Sequence, residues 1–137
     1  MPARKLEHFN IWTTQCEETI RFYVEILGLT VGPRPAVGIP GAWLYDSTKT
    51  PVVHLVDVEK SSAEELAAAG GRDIDSLNGS GSIDHIAFEA ADFEELSAKL
   101  TAAGLKFRIA GIPAISLRQI FVADPNGIVI ELNFRSS

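Results

Sequence analysis

The sequence repeats itself once, with an offset of 77 residues, and this repeat limits the folds that the chain can adopt. The first copy opens with LEHFNIWTTQCEETIRFYVEILGLTV and the second with IDHIAFEAADFEELSAKLTAAGLKFR. Each copy has an acidic residue, a histidine, an apolar stretch and then a helical pattern, and each ends in a short apolar segment, PVVHLVDV or GIVIELNF. A repeat of this kind indicates two paired or stacked structural units.

Four residues of metal-ligand type occupy equivalent positions in the two copies. His54 follows His8 by 46 residues, and Glu131 follows His85 by the same interval. Three imidazoles and a carboxylate can hold a divalent ion and leave one or two positions open for a substrate. Glu131 lies between two apolar residues, where burial of its carboxylate would be costly without a counter-charge that a metal ion can supply. The repeat therefore predicts a metal site.

Each copy is predicted to fold as strand–helix–strand–strand–strand, so the predicted fold class is α+β with two βαβββ modules. Alternating apolar residues indicate strands, and apolar residues at helical spacing before Gly28 and Gly104 indicate helices. The predicted strands are 5–12, 29–34, 38–46, 51–58, 82–90, 106–110, 115–122 and 128–135, and the main helices are 15–27 and 92–103. We expect the sheets to curl around an open cup lined by the histidines and Glu131.

Length and composition favour one globular domain over residues 1–137. We predict module one at 4–59, a Gly- and Ser-rich linker at 60–81, and module two at 82–135. The net charge of −6 argues against a nucleic-acid or acidic-membrane partner. No apolar run approaches the ~18 residues of a membrane span, and no signal-peptide pattern opens the sequence. A single cysteine, Cys16, fits a reducing cytoplasm.

Three further residues are candidates for substrate binding. Trp12 and Trp43 could form an apolar wall for the substrate, although both could equally be core residues. Arg118 could bind an anionic group, although a solvated surface arginine explains it as well. A small-molecule substrate is the partner that this set predicts.

The two copies resemble the vicinal oxygen chelate superfamily, which includes glyoxalase I, bleomycin resistance proteins and extradiol dioxygenases. The segments that carry the resemblance are LEHFNIW, RFYVEILGL, VVHLVD, IDHIAFEA and FVADPNGIVIELNF. The resemblance implies a glyoxalase-like fold, with metal ligands at His8, His54, His85 and Glu131. It also implies a lyase or isomerase in which the ion chelates adjacent oxygens of a small α-oxygenated carbonyl substrate, with Glu131 and His54 as catalytic residues. Many members are homodimers, which we expect here.

The chain departs from individual family members at three positions. Glyoxalase I usually has a glutamate where this chain has His54, and bacterial forms have an arginine where it has Trp12. Extradiol dioxygenases have a tyrosine where it has Val122. Two alternatives therefore stay open: a ferrous-iron dioxygenase that uses His54 as an acid or base, and a metal-free binding protein of the bleomycin-resistance kind. Ligand type does not choose among zinc, nickel, iron, cobalt and manganese.

Overall fold

The computed structural model describes residues 1–136, which form two compact units. The first unit spans Met1–Leu77, and the second begins at Asn78. The boundary lies inside the segment 60–81 that the sequence predicted as a linker. Most of that segment therefore belongs to the first unit.

The first unit contains one mixed sheet with a helix on one face and a shorter helix on the other. The strand order is β1-β4-β3-β2, with β1 parallel to β4 and the other neighbours antiparallel. The elements are β1 Phe9–Thr13, α1 Cys16–Arg21 with a π-helical turn at Phe22–Ile26, β2 Thr30–Gly32, β3 Gly41–Tyr45, β4 Pro51–Asp57 and α2 Ala63–Ala68, followed by a 3-10 turn at Ile74–Ser76.

The core of the first unit lies between the sheet and the helix that starts with α1. Leu44, Val53 and Leu55 alternate with less buried residues along β3 and β4, and their side chains are almost fully buried. The helix contributes Tyr23, whose ring contacts Phe9 edge-on. Alternation along a strand directs every second side chain to the opposite face, which leaves His54 on the face away from this core.

A smaller apolar cluster covers one end of that opposite face. Trp12, Val56 and Val58 are buried there, and partly buried Leu66 and Leu77 pack against them. Ser62 begins α2 with reciprocal side-chain and backbone hydrogen bonds to Glu65, which satisfy two amide groups at the helix end.

The second unit repeats the same plan. Its strand order is β5-β8-β7-β6, again with the first strand parallel to the last and the other neighbours antiparallel. The elements are β5 Ile86–Ala90, α3 Phe93–Ala102, β6 Phe107–Ile112, a 3-10 turn at Pro113–Ile115, β7 Leu117–Ala123 and β8 Val129–Arg135. Leu96 and Leu100 of α3 are buried, as are the alternating residues Ile130, Leu132 and Phe134 of β8.

A hydrogen-bonded turn fixes where β8 begins. The Oδ1 atom of Asp124 accepts hydrogen bonds from the backbone N–H groups of Asn126 at 2.8 Å and Ile128 at 2.9 Å. Gly127 adopts a φ of 81°, which a residue with a side chain rarely does. The turn therefore sets the register that places Glu131 opposite Phe121.

The α+β fold class and the two βαβββ modules are confirmed. Three strand starts differ by three residues or more: the first strand begins at Phe9 rather than at residue 5, the third at Gly41 rather than at residue 38, and the fifth at Ile86 rather than at residue 82. His8 and His85 therefore each stand just before a strand rather than inside it. The expected cup stays a prediction. Within residues 1–136, no helix combines the length and apolar character needed to cross a bilayer.

Candidate functional site

Three parallel rings form the core of the candidate site in the first unit. The ring of His54 stacks on that of His8 with centroids 3.7 Å apart, and on that of Trp43 with centroids 4.1 Å apart. Each pair of planes meets at 11°. β4 lies between β1 and β3, and Trp43 is the register partner of His54. The pairing of these strands therefore holds His54 between the other two rings.

His54 has the properties of a neutral imidazole with one open nitrogen. Its Nε2 atom is buried and has no hydrogen-bond partner among the described residues. Burial, and then the neighbouring charge of His8, lower the pKa of His54 below the ordinary value of 6.5. A buried polar atom without a partner is uncommon in a folded protein and calls for an explanation. A metal ion or a substrate atom would provide one.

In each of the other two histidines, one ring nitrogen is hydrogen-bonded to the acidic residue that comes directly before it. His8 Nδ1 lies 2.8 Å from Glu7 Oε1, and His85 Nδ1 lies 2.7 Å from Asp84 Oδ2. The hydrogen bond that His85 Nδ1 donates to the Asp84 carboxylate raises the pKa of His85. A histidine that binds a metal normally donates its other ring N–H to an acceptor such as a carboxylate. The same arrangement in both copies leaves Nε2 of His8 and of His85 available for a ligand.

The second unit brings His85 close to Glu131. His85 Nε2 lies 3.7 Å from Glu131 Oε2. Glu131 is nearly buried, and two carboxamides hold its carboxylate: Gln119 Nε2 donates to Oε1 at 2.8 Å, and Asn133 Nδ2 donates to Oε2 at 3.0 Å. Gln119 Nε2 also donates to Asn133 Oδ1 at 3.2 Å. This closed set of hydrogen bonds restricts rotation of the carboxylate.

Each unit therefore assembles two of the four predicted ligands, His8 with His54 and His85 with Glu131. Within residues 1–136, no group of three or more histidine, cysteine, aspartate or glutamate side chains is gathered closely enough to hold an ion by itself. Imidazole nitrogen and carboxylate oxygen are common ligands of divalent metals. The open ring nitrogens and the oriented carboxylate of Glu131 are therefore suited to bind such an ion.

The three predicted substrate-binding residues occupy different environments. Trp43 is half-buried beside His54. Trp12 lies on the same face of the sheet, but it is buried against Val56 and Val58 as part of the apolar cluster. The structure does not bring Arg118 to the Glu131 side of its sheet.

Arg118 packs against α3 instead. Its guanidinium lies 3.5 Å from the centroid of the Phe93 ring, and its Nη1 lies 3.7 Å from Glu94 Oε1. Its neighbour Gln119 contacts Glu131 on the opposite face of the strand. The packing against Phe93 gives Arg118 a structural role.

Sequence reasoning missed four residues that contact the predicted ligands: Glu7, Asp84, Gln119 and Asn133. The repeated acidic residue before each histidine was visible in the sequence and could have identified Glu7 and Asp84. Gln119 gave no such signal, because its contact with Glu131 depends on the register between β7 and β8.

Cys16 is the first residue of α1, and burial together with the neighbouring Asp57 raises the pKa of its thiol to about 11. A thiol with this pKa stays protonated near neutral pH and is a poor nucleophile. Cys16 is therefore a half-buried packing residue at the start of the helix.

The family model of the glyoxalase/bleomycin resistance protein/dioxygenase superfamily matches residues 5–132. The chain belongs to this superfamily. No curated protein matches it in sequence. The match covers the first module, and the second as far as Leu132 in β8, so all four predicted ligands lie within it.

Several solved structures share the fold over nearly the whole chain. A glyoxalase/dioxygenase from Nostoc punctiforme is 20% identical, with a TM-score of 0.69 and coverage of 98% of this chain and 92% of that one. A lactoylglutathione lyase from Agrobacterium tumefaciens is 14% identical, with a TM-score of 0.64 and coverage of 98% and 96%. TnmS3, an antibiotic binding protein from Streptomyces sp. CB03234, is 22% identical, with a TM-score of 0.66 and coverage of 99% of both chains. At these identities the likeness shows the fold alone.

Proposed function

We propose that this protein is a divalent-metal-dependent lyase or isomerase that acts on a small α-oxygenated carbonyl compound. His8, His54, His85 and Glu131 are the proposed ligands. The observation that carries the proposal is the repeated acid–histidine pair, because Glu7 and Asp84 orient the two histidines as a metal site requires. The unpartnered Nε2 of His54 adds a third open nitrogen.

The chain supplies both binding and proton-transfer groups. When bound, a divalent ion would act as a Lewis acid toward two adjacent oxygens of the substrate. Glu131 is the proposed proton-transfer group, because Gln119 and Asn133 hold its carboxylate in one orientation. General acid–base catalysis of this kind contributes typically ~10² to 10⁴-fold to a rate. Where it does not bind the ion, His54 is the second proposed catalytic residue, since its lowered pKa favours the neutral ring with a lone pair on Nε2.

Turnover on a panel of α-hydroxy and α-oxo carbonyl compounds tests the proposal. We expect turnover after reconstitution with zinc, nickel, cobalt, manganese or ferrous iron, and none in the chelated protein. Glu131→Gln should lower kcat by at least about 10²-fold. Glu89→Gln is the control, because Glu89 is an exposed carboxylate on the neighbouring strand β5 and should leave kcat within twofold. Absence of metal-dependent turnover across the panel would contradict the proposal.

A second candidate function is metal-free binding of an aromatic small molecule. The stack of His8, His54 and Trp43 favours it, because parallel rings present a flat surface to which a planar ligand can add. TnmS3, which shares the fold, is an antibiotic binding protein. Quenching of tryptophan fluorescence by planar antibiotics that persists in the chelated protein would favour this function.

We further propose a homodimer located in the cytoplasm. Two-fold dimers are the commonest assembly of small soluble enzymes, and a single cysteine, which cannot form a disulfide within the chain, suits a reducing compartment.

A further inference from the structure

An open cavity of about 500 Å³ adjoins the His85–Glu131 pair within the second unit. Asp84, on its wall, accepts the hydrogen bond from His85. Phe121, on another wall, contacts the His85 ring edge-on with centroids 5.8 Å apart and is the register partner of Glu131. The cavity and the proposed catalytic carboxylate therefore share one face of the sheet.

The far wall of this cavity is basic. Lys106 and Arg108 line it, and within residues 1–136 neither forms an ion pair with a carboxylate. The chain as a whole carries 18 acidic and 12 basic residues, so two unpaired cations on one wall run against its average charge. Asp84 is the acidic residue of the lining, and it is bonded to His85.

Arg108 is held in a defined orientation by an aromatic ring. Its guanidinium carbon lies 4.2 Å from the centroid of the Phe121 ring. A guanidinium packed on a ring keeps the N–H groups at its edge free for a planar anion, and a pair of such N–H groups matches a carboxylate or a phosphonate. Arg118 also packs on a ring, but it lies beside Glu94 and away from Glu131.

The strand register sets the distance between the cation and the reacting end of the site. Arg108, Phe121 and Glu131 are consecutive register partners across β6, β7 and β8. Neighbouring strands are about 4.8 Å apart, so the backbones of Arg108 and Glu131 are roughly 10 Å apart. The Arg108 guanidinium packs on the Phe121 ring of the intervening strand, so the distance that remains to Glu131 suits a small molecule.

We propose that Arg108, packed on Phe121, binds an anionic carboxylate or phosphonate group at the far end of the substrate. The substrate is then a small molecule with two different ends. Two adjacent oxygens lie at the His85–Glu131 end, and an anionic group lies several bonds away. Lys106 adds a second positive charge to the same wall. The assignment of the reacting end to His85 and Glu131 rests on the proposed function. The anion site rests only on the cavity and its basic wall.

A pair of matched probes tests the anion site. 2-Oxoglutarate has adjacent oxygens at one end and a carboxylate at the other, and its 5-methyl ester replaces only the distal carboxylate by a neutral ester. In the metal-loaded protein, we expect 2-oxoglutarate to bind at least about tenfold tighter than the ester, as a charge-assisted bidentate hydrogen bond would give. Arg108→Gln should reduce that preference to below twofold. Arg118→Gln is the matched control and should retain it.

Inorganic phosphate and the metal-free protein separate this inference from the proposed function. Phosphate should shift the backbone NMR signals of Arg108 and Phe121, and Arg108→Gln should abolish those shifts while Arg118→Gln does not. If the protein takes up no metal but these shifts are seen, the anion site stands and the proposed function fails. If it takes up metal but Arg108→Gln changes neither the probe preference nor the phosphate shifts, the anion site is wrong.

Discussion

At the scale of single residues, Glu7 and Asp84 determine which nitrogen of the following histidine is available. Both carboxylates bond Nδ1, at 2.8 Å and 2.7 Å, and leave Nε2 open. The sequence showed the acidic residue in both copies but could not show which nitrogen it contacts, because that depends on side-chain rotamers. The three-ring stack around His54 depends on side-chain packing in the same way.

The environments of His54 and His85 predict opposite pKa shifts. The pKa of His54 should be measured below 6.5, because its ring is buried and faces His8, and that of His85 above 6.5, because Asp84 bonds it. NMR titration of the imidazole Cε1 protons in the metal-free protein measures both. Asp84→Asn should return the His85 pKa toward 6.5 and leave His54 unchanged. Equal pKa values, or the reverse order, would contradict these environments.

The same shifts set the pH dependence of stability. The folded state favours the neutral form of His54. As pH falls from 6.5 to the lowered pKa of folded His54, the unfolded chain takes up a proton there and the folded protein does not, so the free energy of unfolding decreases. His85 acts in the opposite sense. The folded state favours the protonated form of His85. The stability that this residue adds to the fold is therefore fully present below pH 6.5 and is lost as pH rises through its raised pKa.

At the scale of elements, the pairing of β7 with β8 assembles the support for Glu131. Gln119 faces Asn133 in the register, and Asn133 is two residues beyond Glu131 on the same face. Alternating apolar residues predicted both strands from the sequence. Their relative register follows from the Asp124 turn, and so Gln119 could be found only once the strands were paired.

Removal of the Gln119 carboxamide should weaken metal binding. Gln119→Leu takes away the donor to Glu131 Oε1, and loss of an outer hydrogen-bond partner typically weakens a metal site about 10- to 100-fold. Competition with a chromophoric chelator measures the affinity, and thermal unfolding monitors the fold. Arg118→Ala is the control, since the adjacent residue of β7 packs against α3. An affinity within twofold of the wild type would show that the carboxylate needs no such support.

At the scale of the whole molecule, the 77-residue repeat accounts for two copies of one sheet with equivalent ligand positions. Trp43 in β3 and Phe121 in β7 are the register partners of His54 and Glu131, so each copy sets an aromatic ring beside a ligand. The copies differ at the next strand, where Gly32 pairs with Trp43 and Arg108 pairs with Phe121. The repeat predicted the shared features, but no symmetry of the sequence points to the basic wall that Lys106 and Arg108 form.

The central proposal is that the protein binds a divalent ion through His8, His54, His85 and Glu131. The most direct test is the metal content by elemental mass spectrometry after reconstitution, for the wild type, His8→Ala and His85→Ala, with Glu89→Gln as the control. We predict about one ion per chain in the wild type and the control, and a large loss in both histidine variants. Retention of the full metal content in either histidine variant, or no metal in the wild type, would contradict the claim.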